Sequence, residues 1–286
     1  MKVNLIAALK KSVIAGGVLV WLAQATLASV PLNNLEGVGG VAFNPLAYPS
    51  GQNKDAASSN TLSQYISNPQ FGAWYVRLGG TDIDWNVLGA SVTLLDRLEL
   101  SYGYEAVALG GKLNIHKNNV GAKLNLIPEN WGGNNFVPAV SVGAVWKKTS
   151  DAIVPDTTNS NDNAVDFYAV ATKLITQTPL PVLLSGGVLS SKEYVTGVIG
   201  FDDSRKLTGF ANVDVILPLN IAVGAEFKQG EKYDHFENAN YWDAHLAWIA
   251  NKNLTLVAAY VNAGDKDKAT PFGLGQGLVL SAQYAF

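Results

Sequence analysis

The last nine residues, Leu278-Val-Leu-Ser-Ala-Gln-Tyr-Ala-Phe286, put Leu278, Leu280, Ala282, Tyr284 and Phe286 on one side and smaller or polar residues on the other. That is the period of a β-strand, whose successive side chains point to opposite faces. The pattern recurs upstream in Leu98-Glu-Leu-Ser-Tyr-Gly-Tyr-Glu-Ala106, Val120-Gly-Ala-Lys-Leu-Asn-Leu126, Ile221-Ala-Val-Gly-Ala-Glu-Phe227 and Trp242-Asp-Ala-His-Leu-Ala-Trp248. Twelve such segments fall near 71–80, 84–94, 97–107, 118–127, 136–147, 164–175, 182–191, 206–217, 220–229, 240–250, 253–263 and 276–286. Segments 164–175 and 182–191 alternate poorly, and spacing assigns them.

The connections sort by length. Leu95-Asp96, Pro218-Leu219 and Asn251-Lys252 are tight, 128–135 and 176–181 are moderate, and 108–117, 148–163, 192–205, 230–239 and 264–275 are longer. Short turns at one end and long loops at the other are the arrangement of a membrane β-barrel. A soluble sandwich gives no reason for this sorting.

The composition of the 286 residues agrees: 48% are hydrophobic but only 15% charged, and no apolar run after residue 29 approaches the roughly 20 residues a membrane helix needs. With no cysteine, disulfides, thiolate zinc sites and cysteine nucleophiles are all excluded, and the net charge of −3 without basic clusters gives no footprint for nucleic acid.

At the N-terminus, Lys2, Lys10 and Lys11 precede the uncharged stretch Ser12–Ala23 and the small-residue sequence Ala25-Thr-Leu-Ala28, the order of zones in a secretory signal peptide cleaved after Ala28. Removing its three lysines from 20 basic residues leaves 17 against 23 acidic ones, a net charge of −6. The fold class expected is all-β: a transmembrane up-and-down antiparallel β-barrel of about 12 strands, with a signal peptide at 1–28, a Gly/Pro-rich N-terminal plug or periplasmic extension at 29–70 and the barrel at 71–286. Export of such a chain leads to the bacterial outer membrane, with outer-membrane lipids and lipopolysaccharide as its surroundings.

If the apolar face meets lipid, the other face lines the lumen. Arg77, Glu99, Lys123, Asp214, Glu226, Asp243 and His245 are the candidate lumen-lining residues, interspersed with small ones such as Gly89, Gly103, Gly121 and Gly224. Both signs of charge occur, so no ion preference follows. Trp74, Trp85, Trp146, Trp242 and Trp248 are candidates for the aromatic girdles. Small inward residues cannot fill a barrel of this width, so water or residues 29–70 must occupy it. Passage of a small hydrophilic solute is the function expected; the alternative is a non-conducting structural or partner-binding protein whose lumen residues 29–70 close.

The C-terminal residues Leu280, Ala282, Tyr284 and Phe286 resemble the closing strand of Gram-negative outer-membrane proteins, which implies recognition by the barrel-assembly machinery. Leu88-Gly-Ala-Ser-Val-Thr-Leu-Leu-Asp-Arg-Leu-Glu-Leu-Ser-Tyr102, Asn119-Val-Gly-Ala-Lys-Leu124, Pro138–Lys148 and the glycine-rich Leu35-Glu-Gly-Val-Gly-Gly40 resemble a domain-of-unknown-function family of proteobacterial outer-membrane proteins. The resemblance implies a barrel and carries no assigned activity.

No enzymatic role is expected. Gly37-Val-Gly-Gly-Val-Ala42 matches a dinucleotide fingerprint in letters, but no strand precedes it and Pro45 and Pro49 prevent the helix that must follow. His116, His235 and His245 lack metal-ligand spacing, so no metal or cofactor is expected; His116 and His235 fall in predicted loops, and His245 shares a face with Asp243 as a hydrogen-bonded pair.

Overall fold

A computed structural model describes residues 32–51, 65–111, 113–152 and 160–286; the expected signal peptide lies outside the described residues. The twelve strands are β1 (Gln70–Gly79), β2 (Ile83–Leu94), β3 (Leu98–Leu109), β4 (Leu113–Ile127), β5 (Ala139–Thr149), β6 (Asn163–Ile175), β7 (Val182–Glu193), β8 (Phe201–Leu217), β9 (Ile221–Lys228), β10 (Tyr241–Ile249), β11 (Leu254–Asn262) and β12 (Gln276–Ala285). Each pairs antiparallel with its sequence neighbours, and β1 pairs with β12, from Gln70 opposite Ala285 to Gly79 opposite Gln276, closing the barrel. Closure leaves no sheet edge unpaired, as a spanning sheet in lipid requires.

The tight connection after β2 is built on positive φ at both Leu95 and Asp96, with the Arg97 N–H donating to the Leu94 carbonyl at 3.0 Å. Two such residues form the hairpin turn whose twist matches the flanking strands. Pro138, which has no N–H for a ladder, stands just before β5. Strand β4 starts earlier than expected. Leu113-Asn-Ile-His-Lys117 belongs to it, leaving only residues 110–112 between β3 and β4. His116 is therefore in a strand, its ring stacked on Tyr104 at 5.8 Å, not in a loop. The inward Lys117 is fully buried, and a lysine that would read as loop polarity is wall.

The outer surface exposes large apolar residues along every strand, among them Leu88, Tyr102, Phe167, Trp248 and Leu280. Exposure of one apolar face on all strands is what a lipid solvent demands and what water penalises. Leu280 and Tyr284 lie on this outer face with Ala282, and Phe286 follows β12, its ring meeting Phe71 edge-on at 5.6 Å. Trp146, Trp242 and Trp248 also face outward. Trp74 and Trp85 do not: they are 3% and 6% exposed and point inward.

Residues 32–51 run inside the barrel. Two short bridges, Asn33 to Gly39 and Gly40 to Pro45, fold the segment on itself, and Val38, Ala42, Leu46 and Ala47 are buried. Gly37 adopts a φ of +83°, and a Cβ there would collide with the Tyr102 carbonyl of the wall. On the wall side, a Cβ at Gly103 would collide with the Glu36 carbonyl. Glycine on both sides lets backbone lie on backbone.

Candidate functional site: the occupied lumen

Wall side chains hold the backbone of the inner segment. Glu99 (β3) accepts the Gly39 N–H at 2.8 Å and the Ser50 N–H at 2.7 Å, while Lys123 (β4) donates to the Gly39 carbonyl at 2.8 Å and pairs with Glu99 at 2.9 Å. Glu226 (β9) accepts the consecutive N–H groups of Ala42 and Phe43 at 3.0 and 2.9 Å, with Asn212 donating to it at 3.0 Å. Thr172 accepts the Ala47 N–H at 2.8 Å, and Asn125 and Ser141 donate to the Ala47 carbonyl at 3.1 and 2.5 Å. At the segment's far end the Tyr48 hydroxyl donates to Glu129 at 2.9 Å; burial, reinforced by that carboxylate, pushes its pKa up. These bonds satisfy backbone groups that burial would otherwise orphan.

Asn33 joins the first and last strands of the barrel. Its N–H donates to Gln283 of β12 at 3.2 Å, its carbonyl accepts from Trp74 of β1 at 2.8 Å and from Gln283 at 3.1 Å, and its side chain accepts from Ser91 of β2 at 2.8 Å.

A second layer is ionic. Lys147 (β5) pairs with Asp166 at 2.8 Å, with Glu193 at 2.6 Å and with Glu36 of the inner segment. Lys117 pairs with Glu105 at 2.8 Å, and Lys228 with Glu193. Glu105 also accepts from Asn119 at 2.6 Å and from the Trp85 indole at 3.0 Å. Buried charges in such number persist only when paired and hydrogen-bonded. A third cluster lies beside Glu226: His245 (β10) has Nδ1 2.7 Å from Asp243 and Nε2 2.7 Å from Asp214 of β8.

Six of the seven predicted lining residues, Glu99, Lys123, Asp214, Glu226, Asp243 and His245, face inward and are at most 5% exposed. They are occupied by the inner segment or by one another. Arg77 is a correction. It points outward with its side chain 42% exposed, held by Asp82 and Asp84 near the rim, while its neighbours Val76 and Leu78 point in. Around β1 both faces are apolar, so polarity alone selects the wrong phase. Lys147, Asp166, Lys228 and Asn212 also face the lumen, outside the predicted set; the alternation of Val145 and Lys147 about Trp146 is the signal that finds the first.

The connections opposite the chain ends fold over the segment. The Lys117 ammonium donates to the Thr196 carbonyl at 2.6 Å, Thr149 donates to Val198 at 2.6 Å, and Asn238 accepts the Val195 N–H at 2.8 Å. Tyr194 packs on Tyr233 and Phe236 at 5.3 and 4.8 Å. Two small cavities lie against the inner segment, one of about 20 Å³ beside Glu36, Asn44 and Asp166 and one of about 50 Å³ between Phe43 and Asp243.

The sequence model of a family described as protein of unknown function (DUF3034) matches residues 30–283. No curated protein matches the chain. Among solved structures, the chain is similar to the KdgM porin, at TM-score 0.50 and 14% identity over 76% of this chain and 99% of that one. It is also similar to the Acinetobacter baumannii outer membrane protein Omp33, at TM-score 0.46 and 10% identity over 78% and 98%. The outer membrane phospholipase A from Escherichia coli aligns at TM-score 0.41 and 8% identity over 78% and 98%. At these identities the likeness is one of fold, that of outer-membrane porin-like barrels.

Proposed function

The chain belongs to this family of unknown function, and we propose that it is an outer-membrane barrel closed by its own N-terminal segment, which passes a small hydrophilic solute when that segment leaves the lumen. Its lipid neighbours include lipopolysaccharide, and its last strand is the recognition element for the barrel-assembly machinery. One observation carries the reading: the segment is fixed from opposite walls of the lumen, β3 and β9, by carboxylates that accept its backbone N–H groups. Glu99 and Glu226 hold two each. Hydrogen bonds of this kind exchange with water at a net cost of only about 1 kcal/mol each, more where a charge is involved. Once the segment is displaced, the charged part of the wall it leaves, from β3 to β10, hydrates readily.

The reading is tested in planar bilayers with the full-length protein and the Glu99→Gln/Glu226→Gln double variant. A mostly closed parent and a variant with long, solute-blockable openings are expected. Correctly folded protein that stays electrically silent in both forms rejects passage and leaves the non-conducting reading, which the inward-folded connection around Val195 favours.

A further inference from the structure

The Asp214, His245 and Asp243 cluster does more than bridge strands. Ionised carboxylate oxygens only accept, so between two ionised aspartates His245 satisfies both of its contacts as an imidazolium with two N–H donors. The second oxygens of both aspartates, Oδ2 of Asp214 and Oδ2 of Asp243, are buried and have no hydrogen-bond partner among the described residues. Gly224 makes the arrangement possible: it lies opposite both Asp214 and His245 in the ladders, and any Cβ there would collide with the Asp214 carboxylate and the His245 ring. Glu226 sits two residues further along β9, directly opposite Asp243.

The charges facing this patch do not cancel. Three carboxylates, Asp214 (β8), Glu226 (β9) and Asp243 (β10), meet one imidazolium. The inward residues of β11 at this level are Ala259 and Val261, and the inner segment supplies Ala42 and Phe43, all uncharged. The next row holds Tyr241 and Lys228, the latter committed to Glu193. Like charges so close, away from water, oppose a further negative charge on Glu226. A cavity of about 50 Å³, which Asp243 shares with Leu35, Ala42 and Phe43, lies against the patch.

We propose that Glu226 is a latch set by the neighbouring Asp214, His245 and Asp243, and that acidification frees the inner segment around Ala42 and Phe43 from the wall. A proton on Glu226 replaces an acceptor with a donor facing an N–H, and one of the two backbone bonds is lost. The inference rests on the closure reading above, but its experiment does not depend on conduction.

Because the chain has no cysteine, Val41→Cys places a single thiol on the buried segment. The full-length protein in lipid vesicles is treated with a membrane-impermeant thiol reagent from pH 8 to pH 5, each rate normalised to that of the urea-unfolded protein at the same pH. Protection at pH 8 that falls tenfold or more on acidification is expected. Adding Asp243→Asn removes a repelling charge and moves the midpoint to lower pH. Adding His245→Gln removes the imidazolium and moves it to higher pH, each by about one unit or more. Asp214→Asn repeats the first shift if Asp243→Asn fails to fold. Protection independent of pH, or shifts of one sign in both backgrounds, overturns the proposal. Protection lost on acidification in a protein that never conducts keeps the latch and rejects passage, whereas openings of the Glu99/Glu226 double variant with pH-independent protection do the reverse.

Discussion

The two sides of the lumen are built on different physics. On β1, β2, β11 and β12 the inward residues include Trp74, Val76, Leu78, Ile83, Trp85, Val257 and Val279, which pack against Val41, Ala42 and Leu46 of the inner segment as one apolar cluster. From β3 to β10 the inward residues include Glu99, Lys117, Lys123, Lys147, Asp166 and Glu226, which bind the segment's backbone and one another. The apolar cluster holds by excluding water, in proportion to area, with Asn33 pinned beside it by Trp74, Ser91 and Gln283. The charged side holds by position, because each group has fixed partners and a cost if a partner is lost. The segment is thus held both by buried area, which sets no register, and by fixed polar partners, which set one.

Substitutions can break this contrast. The largest effect is expected at Lys147→Met, which strands Asp166, Glu193 and Glu36 with no common cation; a loss of about 3–5 kcal/mol in urea unfolding from vesicles is expected. Parent-like stability would show that those carboxylates share protons instead. On the apolar side, Leu78→Ala should cost about 2–4 kcal/mol through a cavity, with little dependence on salt or pH. A marked salt dependence would erase the distinction between the two sides. Glu99→Gln keeps the volume but loses one backbone acceptor and the pair with Lys123; about 1–3 kcal/mol and faster proteolysis near Gly39 are expected. Smallest is Arg77→Gln: the group is exposed at the outer rim, so Tm and any conductance should match the parent. An altered ion selectivity in that variant would return Arg77 to the lumen.

Strand number, antiparallel order and the outward face of β12 were legible because alternation is a property of the strand itself. The segment's path was not, since Glu226 meets it through backbone N–H groups of Ala42 and Phe43, which every residue but proline carries. Arg77 was misread for a related reason. Its partner Asp84 sits directly across the ladder on β2, a relation set by register rather than by period. Trp74 and Trp85 read as membrane-interface residues because a tryptophan facing an apolar inner wall looks the same in sequence as one facing lipid. Lys117 and Lys147 were obscured because burial of a lysine depends on carboxylates that other strands supply.

Asn33 touches β1, β2 and β12 at once, and Gln283, which holds it twice, lies 250 residues away in the chain. Contacts of such separation are the slowest a chain makes. The same asparagine therefore couples the first part of the chain to the last at the seam where the cylinder shuts. Docking of the inner segment and closure of the cylinder are thus linked through one residue: Asn33 gains its full set of bonds only once β1, β2 and β12 stand side by side.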